Sequence, residues 1–322
     1  MTKYLVSGYI GFDNFGDEAI ASVLVGYLKE INAEKITLIS SNPEKTSAIY
    51  NVDSVKMFNF FKAVYESDVL ISGGGSLLQD ITSLKSLLYY LSIIMLALVL
   101  DKKVVIFAQG FTPFRTKIGE ILTKFVLKHC HLVSVRDIES QKMLEKMGIF
   151  SELVTDPVYG IKIPKLEKSG IGIQLRNFPT LNDSFLDDLA ENIKKNFREK
   201  NVKLFSLQDS IDMNVLKNFS NKLTQKGVNN FICHNLSTIE LINEISSLEY
   251  LIGMRFHSSL VAAMAGVKIL GINYDKKVET LAKNIGFPIL EMNEKDMIQA
   301  FNQLLSINVS EYKLPRFKFP EI

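Results

Sequence analysis

An α/β chain of two successive Rossmann-like lobes is what this sequence predicts, and three observations predict it. Short β-branched runs alternate with amphipathic stretches from end to end, as βα units on a parallel sheet require. The alternation restarts after "IKIPKLEKSG", residues 161–170, a polar stretch with proline and lysines that reads as an interdomain linker. The 322 residues suffice for two domains of ordinary size, each burying its own core. The division falls at 1–163 and 164–322.

In chain order, the first lobe reads as strands at "KYLVSGY", "KITLISS", "DVLISGG", "KVVIFAQG" and "LVSVRD". Each is a short run of Val, Ile, Leu and Phe, the composition of strands covered on both faces. Between them the apolar residues recur at helical spacing in "DEAIASVLVGYLKEI", in Leu87 to Leu100, in "KIGEILTKFVLKHC" and in "IESQKMLEKMG". The second lobe supplies strands at "IGIQLRNF", "VKLFSLQ", "NNFICHNL", "YLIGMRF" and "VKILGINY". Open sheets of this kind bind ligands outside the carboxyl ends of their strands. Two of them facing a cleft is the GT-B-like arrangement of two-lobe glycosyltransferases.

Composition excludes several classes. With 37 Lys and Arg against 35 Asp and Glu the formal charge is +2, too small for a nucleic-acid footprint. Cys130 and Cys233 are far apart, have no metal spacing, and read as free thiols in strands. The N-terminus enters a strand without a secretory h-region, so a cytoplasmic protein is expected. The apolar block Leu87 to Leu100 is shorter than the ~20 residues of a membrane span and reads as a buried helix, with a membrane-facing surface as the alternative.

Four constellations end strands. In "GYIGFDNFGDEAI", glycines 8, 11 and 16 miss the dinucleotide spacing, and the turn carries Asp13, Asp17 and Glu18. Asn14 offers donor and acceptor and Asp17 reads as the helix cap, a chemistry suited to hydroxyls or to a capped turn with no ligand. "SDVLISGGGSLLQDITS" brings Gly73, Gly74 and Gly75 before Gln79 and Asp80, which suits a sugar or else close helix–sheet packing. Arg136 in "VSVRDIES" can fork onto an anion or pair with Asp137 or Asp156, and Arg176 holds the matching place in the second lobe. The densest group is "GMRFHSSLVAAMAG". There Arg255 and His257 share one face of an extended segment, and Ser258 and Ser259 can cap the helix behind them as an anion site. Lys276 and Lys277 close the next strand and add positive charge. His129, His131 and His234 read as structural.

Together with "FAQGFTPF", "VTDPV" and "GINYDKKV", these motifs, in this order from Gly8 to about Pro288, resemble the polysaccharide pyruvyl transferase family, its CsaB-type members most. The chain departs locally where Ala108 to Pro113 stands in place of a Gly-Gln-Gly and Gly-Pro turn. The resemblance implies transfer of a pyruvyl group from phosphoenolpyruvate to a sugar diol, giving a ketal. It implies an N-acetylmannosamine-containing, lipid-linked cell-wall precursor as acceptor, and an acidic product of the kind that S-layer homology domains bind. No metal, nucleotide or other cofactor is implied.

On that resemblance the trianionic donor belongs with Arg255, His257, Ser258, Lys276 and Lys277, and Arg136 or Arg176 reaches its carboxylate. The acceptor belongs with Asn14, Asp13, Gly74, Gly75, Gln79 and Asp80. His257 is the candidate general acid and Asp17 the candidate base. A lipid-linked acceptor implies transient peripheral contact with the inner face of the membrane. A nucleotide-sugar glycosyltransferase and a non-catalytic phosphoenolpyruvate- or glycan-binding protein are the competing readings.

Overall fold

The computed structural model describes residues 2–292 and 297–320. The chain divides into two compact units, Met1–Ile161 with Arg316–Ile322 and Lys162–Pro315. The boundary falls at the start of the polar stretch read as a linker. The division at 163/164 gave the C-terminal residues to the second lobe, but Arg316 onward belongs to the first unit. Phe319 stacks on Tyr27 and packs against Phe107, and Thr155 and Lys318 exchange hydrogen bonds.

Among the described residues the first unit holds a parallel sheet ordered β3-β2-β1-β4-β5-β6-β7. Its strands are β1 (Lys3–Ser7), β2 (Lys35–Ser40), β3 (Asp53–Lys56), β4 (Val69–Ser72), β5 (Lys103–Gln109), β6 (Leu132–Val135) and β7 (Glu152–Leu153). Helices α1 (Phe15–Glu30), α2 (Pro43–Tyr50), α3 (Phe60–Glu66), α4 (Leu84–Val99), α5 (Lys117–Leu127) and α6 (Ile138–Lys146) connect them. The central strands β1, β4, β5 and β6 are apolar because helices cover them. Leu5, Leu70, Val104 and Ile106 pack under α3 and α4.

The apolar block of the first lobe is α4. Leu87, Tyr90, Leu91, Ile93, Ile94 and Ala97 are buried in that core, which is the buried-helix reading. Among the described residues no helix is long and apolar enough to cross a membrane.

The second unit repeats the plan with a sheet ordered β10-β9-β8-β11-β12-β13. Its strands are β8 (Ile171–Gln174), β9 (Val202–Phe205), β10 (Asn230–Cys233), β11 (Tyr250–Gly253), β12 (Lys268–Asn273) and β13 (Ile289–Glu291). Its helices are α7 (Asp183–Phe197), α8 (Asp209–Gln225), α9 (Thr238–Ser246), α10 (Phe256–Met264), α11 (Lys276–Ile285) and α12 (Met297–Ser306). The core joins Ile171, Ile173, Leu204 and Ile252 of the sheet to Phe185, Phe197, Phe219 and Phe301 of the helices.

Strand order reverses once in each sheet, between β1 and β4 in the first and between β8 and β11 in the second. The carboxyl ends at those points are where an open α/β sheet leaves a crevice. Register places Ser7 beside Ser72 in the first sheet and Gly253 beside both Gln174 and Gly271 in the second. The turns that follow β1, β4, β8 and β11 therefore start at the switch points, whereas the Arg136 motif follows β6, away from them.

Cys233 ends β10, whereas Cys130 lies in the turn after α5 and not in a strand. Both thiols are free, and burial pushes them up to about 12 and about 11 for Cys130 and Cys233 respectively.

Candidate functional site

The acidic turn after β1 uses its charges in three different ways. Gly11 sits at φ +81°, and a β-carbon there would stand 2.2 Å from Ser40 Oγ, so only glycine fits. Its N–H donates to Glu18 Oε1 at 2.7 Å, while the Tyr50 hydroxyl donates to Glu18 Oε2 at 2.6 Å. Glu18 is thus a buried brace of the turn. Burial raises its carboxyl above the ordinary value even though both hydrogen bonds pull it down. Asp13 pairs with Lys45 at 2.6 Å on the surface.

The cap of α1 is Asn14, not Asp17. Asn14 Oδ1 accepts from the N–H groups of Gly16 and Asp17, at 3.1 and 3.4 Å. The helix starts three residues earlier than a cap at Asp17 requires, because an extended Asn14 closes it first. The Asp17 carboxylate lies at the glycine loop instead: a β-carbon on Gly75 would stand 2.9 Å from Asp17 Oδ1.

That loop is held from beneath by Gln109, which is fully buried. Its Oε1 accepts from Leu77 N–H at 3.1 Å and its Nε2 donates to Gly73 O. Gly110 N–H donates to Gly75 O at 2.7 Å. Gly74 permits close packing, since a β-carbon on it would come within 3.0 Å of Ile20 on α1.

Gln79 and Asp80 make their hydrogen bonds within the chain. Gln79 Oε1 accepts from the N–H groups of Ile81 and Thr82. Asp80 is buried, and it accepts from Arg115 N–H, Thr116 N–H and the Thr116 hydroxyl at 2.6 to 2.8 Å. Burial would raise its carboxyl, but these bonds outweigh it and hold the group below the ordinary value. The reason is positional: the loop folds back onto the segment that leads into α5, and binds the N–H groups of Arg115 and of the N-cap Thr116.

Arg136 adopts the paired alternative. Its Nη1 lies 2.6 Å from Asp156 Oδ2, its Nη2 donates to Ser76 Oγ at 3.4 Å, and both ionic side chains are nearly buried. Asp137 instead caps α6 through Ser140 N–H.

In the second unit, α10 begins at Phe256 with Arg255 as an extended N-cap that supplies no side-chain cap. Arg255 and His257 therefore do not share an extended segment: the chain has already turned helical at Phe256. Ser258 and Ser259 fall inside the first turn, fully buried, and cannot cap it. The Ser258 hydroxyl donates back to Arg255 O at 2.8 Å.

Arg255 is fixed from two sides. Gln174 Oε1 accepts its N–H at 2.7 Å, and its Nη2 lies 2.7 Å from the carboxylate of Asp212, itself fully buried in α8. The other Asp212 oxygen accepts from Leu207 and Gln208 N–H at 3.0 and 3.1 Å. Arg255 Nε is buried and makes no hydrogen bond to a described residue. His257 is half-buried on the first turn of α10, its ring edge-to-face with Phe256.

Lys276 and Lys277 follow the strand rather than close it: they are the first two residues of α11, after its cap Asp275. Two cations at the positive end of a helix are unfavourably placed, and an anion there relieves them. Arg176 leaves β8 at the same edge, its guanidinium 6.0 Å from the Tyr274 ring centroid. Because β8, β11 and β12 are neighbours, their carboxyl ends gather Arg176, Arg255, His257, Lys276 and Lys277.

The sequence reading missed Asp212, Gln174 and Gln109. Gln174 and Gln109 each interrupt an apolar strand, and a buried amide has to find partners; that signal was available. His131 accepts from Val104 N–H at 3.1 Å and is structural, while His234 stands 3.8 Å from Asp209.

A family model described as polysaccharide pyruvyl transferase matches residues 14–276. No curated protein gives a significant match. Among solved structures, UDP-GlcNAc 2-epimerase from Methanocaldococcus jannaschii superposes with TM-score 0.70 at 12% identity, covering 97% of this chain and 95% of that one. The Neisseria meningitidis UDP-GlcNAc 2-epimerase bound to UDP-GlcNAc gives 0.64 at 11% identity, with 94% and 91% covered. Anabaena HepE in complex with UDP and glucose gives 0.60 at 10%, with 95% and 93% covered. At these identities the likeness is one of fold, the two-lobe GT-B-like α/β class.

Proposed function

Since the chain belongs to the polysaccharide pyruvyl transferase family, we propose that it moves the pyruvyl group of phosphoenolpyruvate onto two hydroxyls of a sugar, closing a pyruvate ketal. The acceptor in this reading is a lipid-linked cell-wall precursor containing N-acetylmannosamine, as for CsaB-type enzymes. The observation that carries the donor half is the gathering of Arg176, Arg255, His257, Lys276 and Lys277 at three adjacent strand ends.

Phosphate and carboxylate of the donor call for cations and helix N–H groups, which the starts of α10 and α11 supply together. A proton delivered to the methylene carbon of the enol ester makes C2 electrophilic. One sugar oxygen bonds to C2 and loses its proton, the C2–O bond to phosphate breaks, and the second sugar oxygen bonds to C2 in its place. Phosphate leaves with one proton. His257 suits the donor proton because imidazole titrates near neutrality. Asp17, beside Gly75, is the candidate of the first unit to take a hydroxyl proton. Asn14 and the glycine loop would read the sugar, whereas Asp80 and Arg136 act as supports and drop out of direct contact.

A ligand that binds only the native state raises its melting temperature. Thermal shift with phosphoenolpyruvate, UDP, CMP and NAD tests the donor: phosphoenolpyruvate alone should stabilise. Stabilisation by UDP without phosphoenolpyruvate would give the second unit to a nucleotide sugar and end this reading.

A further inference from the structure

Helix α5 carries two apolar stripes where a core-facing helix needs one. Val126 and Leu127, with Gly119 and Thr123, face the core. On the opposite side Ile118, Ile121, Leu122 and Phe125, at i, i+3, i+4 and i+7, are 59%, 63%, 38% and 53% exposed. Lys117, Lys124 and Lys128 run along one edge of this outer stripe, and Glu120 is the one carboxylate on the helix. The connections from β3 to β4, β4 to β5 and β5 to β6 all step the same way along the sheet, so α3, α4 and α5 lie on one face. On α4, beside α5, Val99 is 75% exposed.

We propose that this outer face of α5 docks on an anionic phospholipid surface. An apolar stripe bordered by lysines is the pattern of a helix lying in the interface, with its apolar side chains among the acyl boundary and the lysine stems reaching to headgroup phosphates. Charge complementarity selects the occupant. A second copy of this chain brings the same lysines and a single carboxylate to meet them, whereas an anionic bilayer brings phosphates. The chain as a whole is nearly neutral, so the three lysines mark this helix and not the molecule. Asp80 ties Thr116, the N-cap of α5, to the loop that carries Gly74 and Gly75. Docking thus holds the carboxyl edge of the first sheet near the lipid, a consequence that rests on the lipid-linked acceptor proposed above.

Co-sedimentation of the full chain with phosphatidylglycerol–phosphatidylcholine vesicles tests the docking, with pure phosphatidylcholine as control. Binding should appear on the anionic vesicles and weaken with salt. Replacing each of the three lysines by Gln should lower the partition coefficient about fivefold per residue. Ile121→Asp with Phe125→Asp should lower it at least tenfold while leaving the melting temperature unchanged, since both side chains are exposed. Absence of binding, or binding indifferent to the Asp pair, overturns the proposal. So does a dimer in sedimentation velocity that the Asp pair dissolves, which would give the face to a second copy. The vesicles contain neither donor nor acceptor, so this outcome is independent of whether pyruvyl transfer is correct.

Discussion

Asp212 holds Arg255 from inside the second unit: carboxylate and guanidinium meet at 2.7 Å, the acid fully buried and the arginine side chain 11% exposed. An arginine aimed at an anion is usually treated as a binding group alone; this one is also half of a buried pair.

Arg255→Ala should therefore cost stability as well as donor affinity, by about 3–5 kcal/mol for the carboxylate left unpaired. Asp212→Asn keeps the shape, loosens the guanidinium, and should weaken phosphoenolpyruvate binding without touching it. Urea unfolding and calorimetric titration read the two effects. Wild-type stability and wild-type donor affinity in Asp212→Asn would show that the pair positions nothing.

His257→Asn retains bulk and some hydrogen bonding but cannot titrate. Turnover should fall about 10²–10⁴-fold, the range for a lost general acid, with donor affinity far less affected. Near-normal turnover at saturating donor would leave His257 as a binding residue only.

Gly75→Ala adds a β-carbon 2.9 Å from Asp17 Oδ1 at a backbone φ of +101°. The left-handed conformation costs roughly 1–2 kcal/mol for alanine, and the carboxylate has to move. Acceptor-dependent turnover should drop while phosphoenolpyruvate still shifts the melting temperature normally. Unchanged turnover would remove Asp17 from the list of candidate bases.

Glu18 gives a pH signature whose sign is fixed by the direction of its shift. Burial holds its folded pKa above the ordinary 4.5, so the native state binds more protons than the unfolded chain in the interval between. Its contribution to stability is complete below the ordinary value and is lost as pH rises through the folded one. Glu18→Gln removes the titration, so the variant should gain melting temperature relative to wild type as pH rises above the ordinary carboxylate range. A relative loss over that rise in pH would mean that the Tyr50 and Gly11 hydrogen bonds outweigh burial.

The sequence by itself determined the βα alternation, because continuous Val, Ile and Leu runs and 3.6-residue spacing are local signals that survive folding unchanged. It determined the motif turns for the same reason: Gly11 and Gly75 are glycines where the backbone turns left-handed, and strand ends place them at the switch points. It did not show β7 or β13, which span two and three residues and are too short to display a period, or β3, whose Asp-Ser-Val-Lys has no apolar run. Nor did it determine which polar side chains remain available to a ligand. Asp80, Arg136, Glu18 and Arg255 each satisfy partners between 7 and 60 positions away. The tertiary structure alone decided those pairings, because a buried charge takes whatever donor or acceptor packing brings within 3 Å, and distance along the chain carries no information about that.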